Sequence, residues 1–581
     1  MCGIYGITAR DPEFVHKYIQ TCKHRGPDGE RVWWDDTVTL GHNLLSIMAD
    51  PNLSRQPWKT PKGNILVYNG EIFNYYELKE KYNGKGFAGI TGCDTELLAW
   101  GLDEFGLDFI NEIDSMHSFA YYEIKKKQIT LSRDHAGIKP VYYAETKEGL
   151  VFGSEIKGML DKVPNSRTMD KLATSCMSMT GINVTRNTFF SGIKKLLAGE
   201  TIVYDITNKK IKNKKRFFVV PNSNTAFDPD EFRGMVHQAV KQCSIGQRKI
   251  GVFLSGGLDS SMVAYELNKI HGPINTFTNR MEPNVSTQHA GEDFNDDATW
   301  ANNLAKIEKF NHKEVIITPK IVADYWESSV RYMEQPVYNP SLAMYCYTNK
   351  VLHDNKIVVT MAGDMGDEVL AGYPKYWKMR GSAYLKRMID KEKIGNWEDV
   401  IKLWINRIKR PLKLHNSLIN KNELIDELIK CYPDNLWNEN DPIGSYMALD
   451  CVSMVPEDFF GRNDKYGMMY GMEGRFPLAS KTFMQYCMNM HSDIKMLRQK
   501  SSTKILAKQA YEKILPQGII KKQKTGWTVP IQFWIVENHP ELRHLDARSD
   551  TISKLCQGQG KGMVPAMIAR DWQKIYNMST Y

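Results

Sequence analysis

The chain has 581 residues, 42% hydrophobic and 25% charged, with a formal net charge of +9. These fractions are those of a soluble globular protein, and the length is too great for one core, so at least two domains are expected. No apolar run reaches the roughly 18 residues of a membrane span, no basic-then-apolar leader opens the chain, and the cysteines form no C-x-x-C pair, so a membrane span, a secretory signal and a zinc or disulfide framework are not expected.

The first residues, M-C-G-I-Y-G-I-T, put a cysteine directly behind the start methionine. Taken alone, Cys2 reads either as the second residue of an edge strand or as the first residue of the working protein. Residues 1–205 are β-rich. V-W-W-D-D-T-V-T-L (32–40), N-I-L-V-Y-N-G (64–70), S-F-A-Y-Y-E-I (118–124), Q-I-T-L-S-R-D (128–134) and P-V-Y-Y-A (140–144) are β-prone runs bounded by turn residues, which predicts stacked sheets. Glu96–Phe105 has helical periodicity. K-K-I-K-N-K-K-R-F-F (209–218) has the charge of a nucleic-acid handle, but its flanks are those of a solvated hairpin, and a nucleic-acid partner is not expected. V-P-N-S-N-T-A-F-D-P (220–229) reads as linker.

Beyond the linker an amphipathic helix (Asp230–Gln242) leads to K-I-G-V-F-L, and strand-like I-N-T-F-T, E-V-I-I-T and K-I-V-V-T-M-A-G follow between helical stretches. That alternation predicts a parallel α/β sheet, with mostly helix from about residue 375 onward. In G-V-F-L-S-G-G-L-D-S-S (251–261) a buried strand turns through Gly256 and Gly257 into a helix starting near Asp259. Free N–H groups at such a helix start bind anions, and Ser255, Ser260 and Ser261 add hydroxyl donors. Asp259 would repel a bare phosphate, which points to a bridging Mg²⁺. The run matches S-G-G-x-D-S, the pyrophosphate loop of ATP pyrophosphatases. A second turn, A-G-D-M-G-D-E, sets Asp364, Asp367 and Glu368 past another strand end, where ligands of parallel sheets bind.

With M-C-G-I and S-G-G-L-D-S-S stand H-R-G-P-D-G (24–29), Y-N-G-E-I-F-N (68–74), G-C-D-T-E (92–96), S-R-D-H-A-G-I-K-P (132–140), Y-M-E-Q-P-V-Y-N-P-S (332–341), G-M-M-Y-G-M-E-G-R-F-P (467–477) and Q-K-T-G-W-T-V-P (523–530). In this order they resemble the glutamine-hydrolysing asparagine synthetase family over nearly the whole chain. The resemblance implies an α+β N-terminal-nucleophile sandwich of stacked antiparallel sheets (1–216, a class II glutaminase), a linker (217–229), an α/β ATP-pyrophosphatase domain with a helical C-terminal part (230–540) and an extension (541–581).

It further implies that Met1 is removed and that Cys2 attacks glutamine, its α-amine accepting the thiol proton. Asn69 and Gly70 would stabilise the oxyanion; Glu71 and Asp94 would hold the substrate, Asp94 through its α-ammonium. Ammonia would pass inside the protein to a site where ATP adenylates a carboxylate. There Phe253, Ser255, Gly256, Gly257, Asp259, Ser260, Asn279, Ala362 and Gly363 would contact ATP, Asp259 and Asp367 would hold Mg²⁺, and Asp364 and Lys504 would be catalytic. Small-molecule substrates, a cytoplasmic setting and room for a homodimer complete the expectation.

The chain also departs from the family pattern. G-H-N-L-L-S-I (41–47) has Leu44 where H-x-R-L-S-I puts an arginine on the glutamine α-carboxylate, and leucine cannot form a bidentate carboxylate pair. Arg25 or Arg55 is the candidate replacement; otherwise glutamine affinity is weakened or the amide donor differs. Asn279, Arg280, Ala362, Met365 and Ser480 are further substitutions, expected near the acceptor-carboxylate pocket. They leave aspartate, or alternatively a sugar or modified-metabolite carboxylate, as the acceptor.

Overall fold

The computed structural model describes residues 2–216, 219–222, 224–282, 288–289, 292–293, 295–337, 339–381, 394–406, 418–496, 503–522, 529, 531–536, 540–545 and 563–580. Most of Q-K-T-G-W-T-V-P, Tyr338 and residues 217, 218 and 223 of the expected linker lie outside these.

Twelve strands build the first part: β1 (Gly3–Ile7), β2 (Gly29–Trp34), β3 (Thr39–Leu44), β4 (Trp58–Lys59), β5 (Ile65–Ile72), β6 (Ser115–Glu123), β7 (Gln128–Arg133), β8 (Tyr142–Glu145), β9 (Leu150–Gly153), β10 (Lys194–Lys195), β11 (Glu200–Asp205) and β12 (Lys210–Arg216). They form two six-stranded antiparallel sheets, ordered β10-β8-β9-β1-β3-β2 and β12-β11-β7-β6-β5-β4. Ile4, Leu40, Val67, Ala120, Leu131 and Phe152 interdigitate between the sheets as alternate residues do in a sandwich. The edge-strand reading of the N-terminus is corrected: β1 pairs with β3 on one side and β9 on the other. All five of its residues are buried, which is why it has no polar alternation.

The run 32–40 is two strands rather than one. Asp35 Oδ1 accepts from Thr37 N at 2.7 Å and Val38 N at 2.8 Å, a side-chain-closed turn that folds the chain back. The helix read from Glu96 begins at Asp94 and ends at Phe105. The lysine-rich run is the edge strand β12, paired only through β11, with Lys210, Lys212, Lys214 and Lys215 exposed. Such an edge resists pairing with other chains.

Among the described residues seven further strands follow: β13 (Ile250–Phe253), β14 (Asn275–Met281), β15 (Gln288–His289), β16 (Glu292–Asp293), β17 (Asn311–Ile317), β18 (Val359–Met361) and β19 (Glu473–Arg475). β15 and β16 pair separately; the rest form a parallel sheet ordered β17-β14-β13-β18-β19. Successive strands run outward on both sides of β13, so the β13/β18 junction is the crevice where such sheets bind ligands. β19 was not foreseen: three residues inside the helical region return to complete this sheet. The final helix, Met563–Tyr576, packs Trp572 on Phe190 of the first part, with centroids 5.2 Å apart, while Asp571 accepts from Trp326 Nε1 at 2.8 Å.

The two parts meet through buried charge. Arg25 pairs with Asp464 at 2.8 Å and with Glu155 at 3.0 Å, and Arg475 pairs with Glu71 at 2.8 Å. His135 Nε2 lies 2.9 Å from the Ala479 carbonyl, and the Ile156 and Lys157 amides donate to Glu334 at 3.0 and 2.8 Å.

Candidate active sites

Cys2 lies at the foot of a small cavity of about 30 Å³ lined by Leu44, Leu45, Ile47, Met48, Tyr68, Gly70, Glu71, Asp94 and Glu473, among others. β5 supplies Tyr68, Gly70 and Glu71 from the strand facing β6, and the helix Asp94–Phe105 supplies Asp94 at its first residue. The Cys2 nitrogen donates to Asn69 Oδ1 at 2.9 Å, while the Asn69 amide faces Ser118 Oγ at 3.4 Å. Asn69 therefore grips the amine end of residue 2. Gly70 is required sterically, because a Cβ there would stand 2.2 Å from the Met116 carbonyl. Burial pushes the Cys2 thiol up to about 11, so it needs a base to become a nucleophile at neutral pH.

Asp94 accepts from Tyr68 Oη at 2.9 Å and from the Ile72 amide at 3.0 Å; burial outweighs these bonds and lifts its carboxyl to about 6. Glu71 and Glu473 share Arg475, whose Nη2 is 2.8 Å from Glu71 Oε2 and whose Nε is 2.7 Å from Glu473 Oε1. Burial raises Glu71 well above the usual carboxylate range despite that arginine. Burial acts on Glu473 too, but cationic groups, Arg475 and Lys139 among them, hold it down at about 2. Glu473 belongs to β19, so one wall of this cavity comes from the parallel sheet of the second part.

The second cavity, about 370 Å³, opens at the carboxyl ends of β13 and β18. Phe253, Ser255, Gly257, Asp259, Ser260, Ala362, Gly363, Asp364, Asp367 and Lys504 all line it. Gly256 shapes the turn from behind: its φ is +72°, and a Cβ would meet the Asp297 carbonyl at 2.2 Å. Ser260 Oγ accepts from Ser255 N at 3.1 Å and closes the loop over the start of helix Leu258–His271. Lys504 Nζ sits between two acids, hydrogen-bonded to Asp259 and 2.7 Å from Asp367 Oδ1, and these carboxylates raise its pKa against the opposing effect of burial. Burial lifts Asp364 to about 6, opposed by Arg462. Two non-glycine residues here have left-handed backbones, Met365 at φ +79° and Lys504 at φ +55°. Such geometry costs about 1 kcal/mol per residue and concentrates at working sites.

Three of the expected placements change in the structure. Asn279 does not line the cavity; it is buried, and its Oδ1 accepts from Thr348 Oγ1 at 2.9 Å. Arg280 turns to the neighbouring strand and pairs with Glu314 at 2.8 Å. Ser480, expected near the acceptor, caps the helix Lys481–Met488 by accepting from Phe483 N at 3.3 Å. Ala362 and Met365 are the substitutions that do line the cavity. Neither candidate arginine replaces Leu44: Arg55 is exposed and donates to Asn52 at 2.6 Å, and Arg25 is enclosed by Glu155 and Asp464 while its Nε donates to the Cys2 carbonyl at 3.2 Å.

Residues to which the sequence assigned no role also converge on the second cavity. The helix Pro442–Val455 continues through a wide turn, Pro456–Phe460, into Gly461–Met468, and so delivers Asp458, Arg462 and Asn463. Arg462 pairs with Asp458 at 2.9 Å and stands 4.8 Å over the Tyr345 ring. Lys522 anchors Asp296 at 3.1 Å and also bonds Asp297. The wide turn has no local sequence signature, so only the fold reveals this group.

Residues 1–218 match the glutamine amidotransferase domain model, and residues 231–555 match the asparagine synthase model. The chain is 24% identical to asparagine synthetase (glutamine-hydrolysing) 3 of Bacillus subtilis (strain 168) over 91% of its own length and 87% of the relative's. It is also 24% identical to asparagine synthetase (glutamine-hydrolysing) 1 of the same organism, over 95% and 90%.

Proposed function

The chain belongs to the asparagine synthase family, ATP-dependent ligases that draw their nitrogen from glutamine, and from that premise we propose that it makes asparagine from aspartate, ATP and glutamine. The observation that carries the reading is the pairing of two cavities in one chain, an N-terminal cysteine pocket and an S-G-G-L-D-S-S pocket, with β19 walling the first and its parallel neighbour β18 leading into the second.

In the first cavity, removal of Met1 frees the Cys2 amine, which Asn69 Oδ1 orients as the base for the buried thiol. The sulfur adds to the amide carbon of glutamine, the C–N bond breaks, and ammonia leaves with the thiol proton. Water then cleaves the thioester to glutamate. The Gly70 amide and the Asn69 side chain are assigned to the oxyanion, and Asp94 to the α-ammonium.

In the second cavity the loop Ser255–Ser261 cradles the leaving pyrophosphate while the acceptor carboxylate attacks the α-phosphate. Asp259 and Asp367 already converge on one cation, Lys504 Nζ. Among the described residues no group of three or more His, Cys, Asp or Glu could hold a metal alone. Two carboxylates sharing an ion with substrate phosphates fit Mg²⁺, which usually takes one or two carboxylates, substrate phosphates and waters. When bound, Mg²⁺ supplies charge neutralisation on the phosphates. Lys504 moves its ammonium from the carboxylates toward the phosphates, and Asp364, held at about 6 by burial, handles the proton of the incoming ammonia.

Among the described residues the nine cysteines form no disulfide, which supports a reducing, cytoplasmic setting. No helix among the described residues is long and apolar enough to cross a membrane. The test is quantification of AMP, pyrophosphate, glutamate and amide product with aspartate present; absence of aspartate-dependent AMP sinks the reading. A second reading, amidation of another carboxylate such as one on a sugar, is favoured by the Ala362 and Met365 substitutions in the cavity wall, and the same assay with those acceptors decides it.

A further inference from the structure

A free amino-acid donor such as glutamine brings two charges into the first cavity, an ammonium and a carboxylate. The cavity is built for one of them. Among the described residues that line it three carboxyl groups stand together, Glu71, Asp94 and Glu473, and there is no lysine or arginine. The nearby guanidinium of Arg475 lies behind Glu71 and Glu473, fully buried and bonded to both. The two lining serines are also committed: Ser46 Oγ donates to the Ala49 carbonyl and Ser54 Oγ donates to the Asp50 carbonyl at 3.0 Å.

Part of the lining is apolar, made where the chain leaves β3 by Leu44, Leu45, Ile47 and Met48. A carboxylate laid against it would lose its hydration with no ion pair in return, a costly burial. A buried polar atom of the lining also lacks a partner. Glu71 Oε1 is buried without a hydrogen-bond partner, and Glu71 lines the cavity, so it calls for a polar group of the ligand.

Resting on the amide-cleaving reading of this cavity, we propose that its preferred nitrogen donor is a glutamine whose α-carboxyl is neutralised as an amide, as in an N-terminal glutamine residue of a peptide, and that Leu44 sets this preference. Such a donor keeps the γ-carboxamide for Cys2 and the ammonium for Asp94. It presents an uncharged amide to the Leu44 wall, with polar groups for Glu71. The bond changes are those of the ordinary donor: the γ C–N bond breaks, ammonia leaves, and water converts the thioester to a γ-carboxylate.

The experiment compares glutamine with glutamine α-amide as donors to the full chain, reading ammonia release and ATP-dependent AMP formation, in the native protein and in Leu44→Arg. The expected native result is a kcat/KM for the α-amide at least about tenfold above that for glutamine, with the order reversed in Leu44→Arg. Calorimetric binding of both ligands to Cys2→Ala repeats the comparison without turnover, so the preference is readable even if the arginine variant misfolds. Glutamine equal to or better than the α-amide in the native chain overturns the proposal while leaving the amide-cleaving reading intact. Cleavage of neither donor, with AMP still formed from free ammonia, overturns that reading and the proposal with it.

Discussion

Replacing Arg475 by methionine withdraws one cation from between two buried carboxyl groups, of which Glu473 is the one held ionised, while keeping an apolar stem. In the native chain Arg475 contacts Glu473 at 2.7 Å and Glu71 at 2.8 Å, and its Nη1 also donates to the Cys243 carbonyl at 2.9 Å. Breaking a buried pair from one side typically costs about 3–5 kcal/mol, because the partner is left charged in a poor solvent. The direction is the same from titration: Arg475 is one of the cations that hold Glu473 below the usual carboxylate range. The sign follows from the depressed value. That stability is present above the unfolded carboxylate range near 4.5 and is lost as pH falls toward about 2. Arg475→Met should therefore lower the urea midpoint most at pH near ~8, and the gap to the native chain should narrow as pH drops below about 4.5. Tryptophan fluorescence with parallel ammonia and AMP assays reads stability and both sites together. A loss below about 1 kcal/mol at pH ~8, or a gap that does not change with pH, refutes the assigned role of this buried triad.

Cys2→Ala should abolish glutamine-dependent product and leave ammonia-dependent AMP formation intact; surviving glutamine use would remove the nucleophile assignment. Lys504→Met leaves Asp259 and Asp367 facing each other without their cation and should cut pyrophosphate release by about a hundredfold, with ammonia release from the amide donor unchanged. Because burial holds Asp94 at about 6, it gains a proton as pH falls through that value and loses its grip on an ammonium, so the donor KM should rise below about pH 6 while kcat changes less. A flat KM across that range would exclude Asp94 from the ammonium site. Chelation of divalent cations should stop AMP formation and spare amide cleavage, and equal loss of both would contradict a metal confined to the second cavity.

What could be read from sequence had a local cause. The glycine-turned loop after β13, the acidic turn after β18 and the alternation of strands and helices rest on short-range geometry, and both turns are found at the carboxyl ends of the parallel sheet. What could not be read depends on contacts between distant segments. β1 looked like an edge because nothing local marks its two partners, β3 and β9. β19 is three residues long and exists only because β18 is there to receive it. Asn279 was placed near the nucleotide by the family resemblance, but it lies within β14, where residues alternate faces, and its side chain turns to Thr348. Arg462 and Asp458 reach the cavity through a wide helical turn with no composition signal.

The buried ion pairs between the two parts bear on how far the chain can be divided. Arg25 finds Asp464 across 439 positions of sequence, and Glu71 finds Arg475 across 404. A piece ending at the linker would keep a guanidinium and a carboxylate that the intact protein never shows to water, each stripped of a counter-ion. A nick in the linker would leave both pairs in place provided the two fragments stayed associated. The catalytic halves are thus successive in sequence but share buried ion pairs, so separating them should destabilise each.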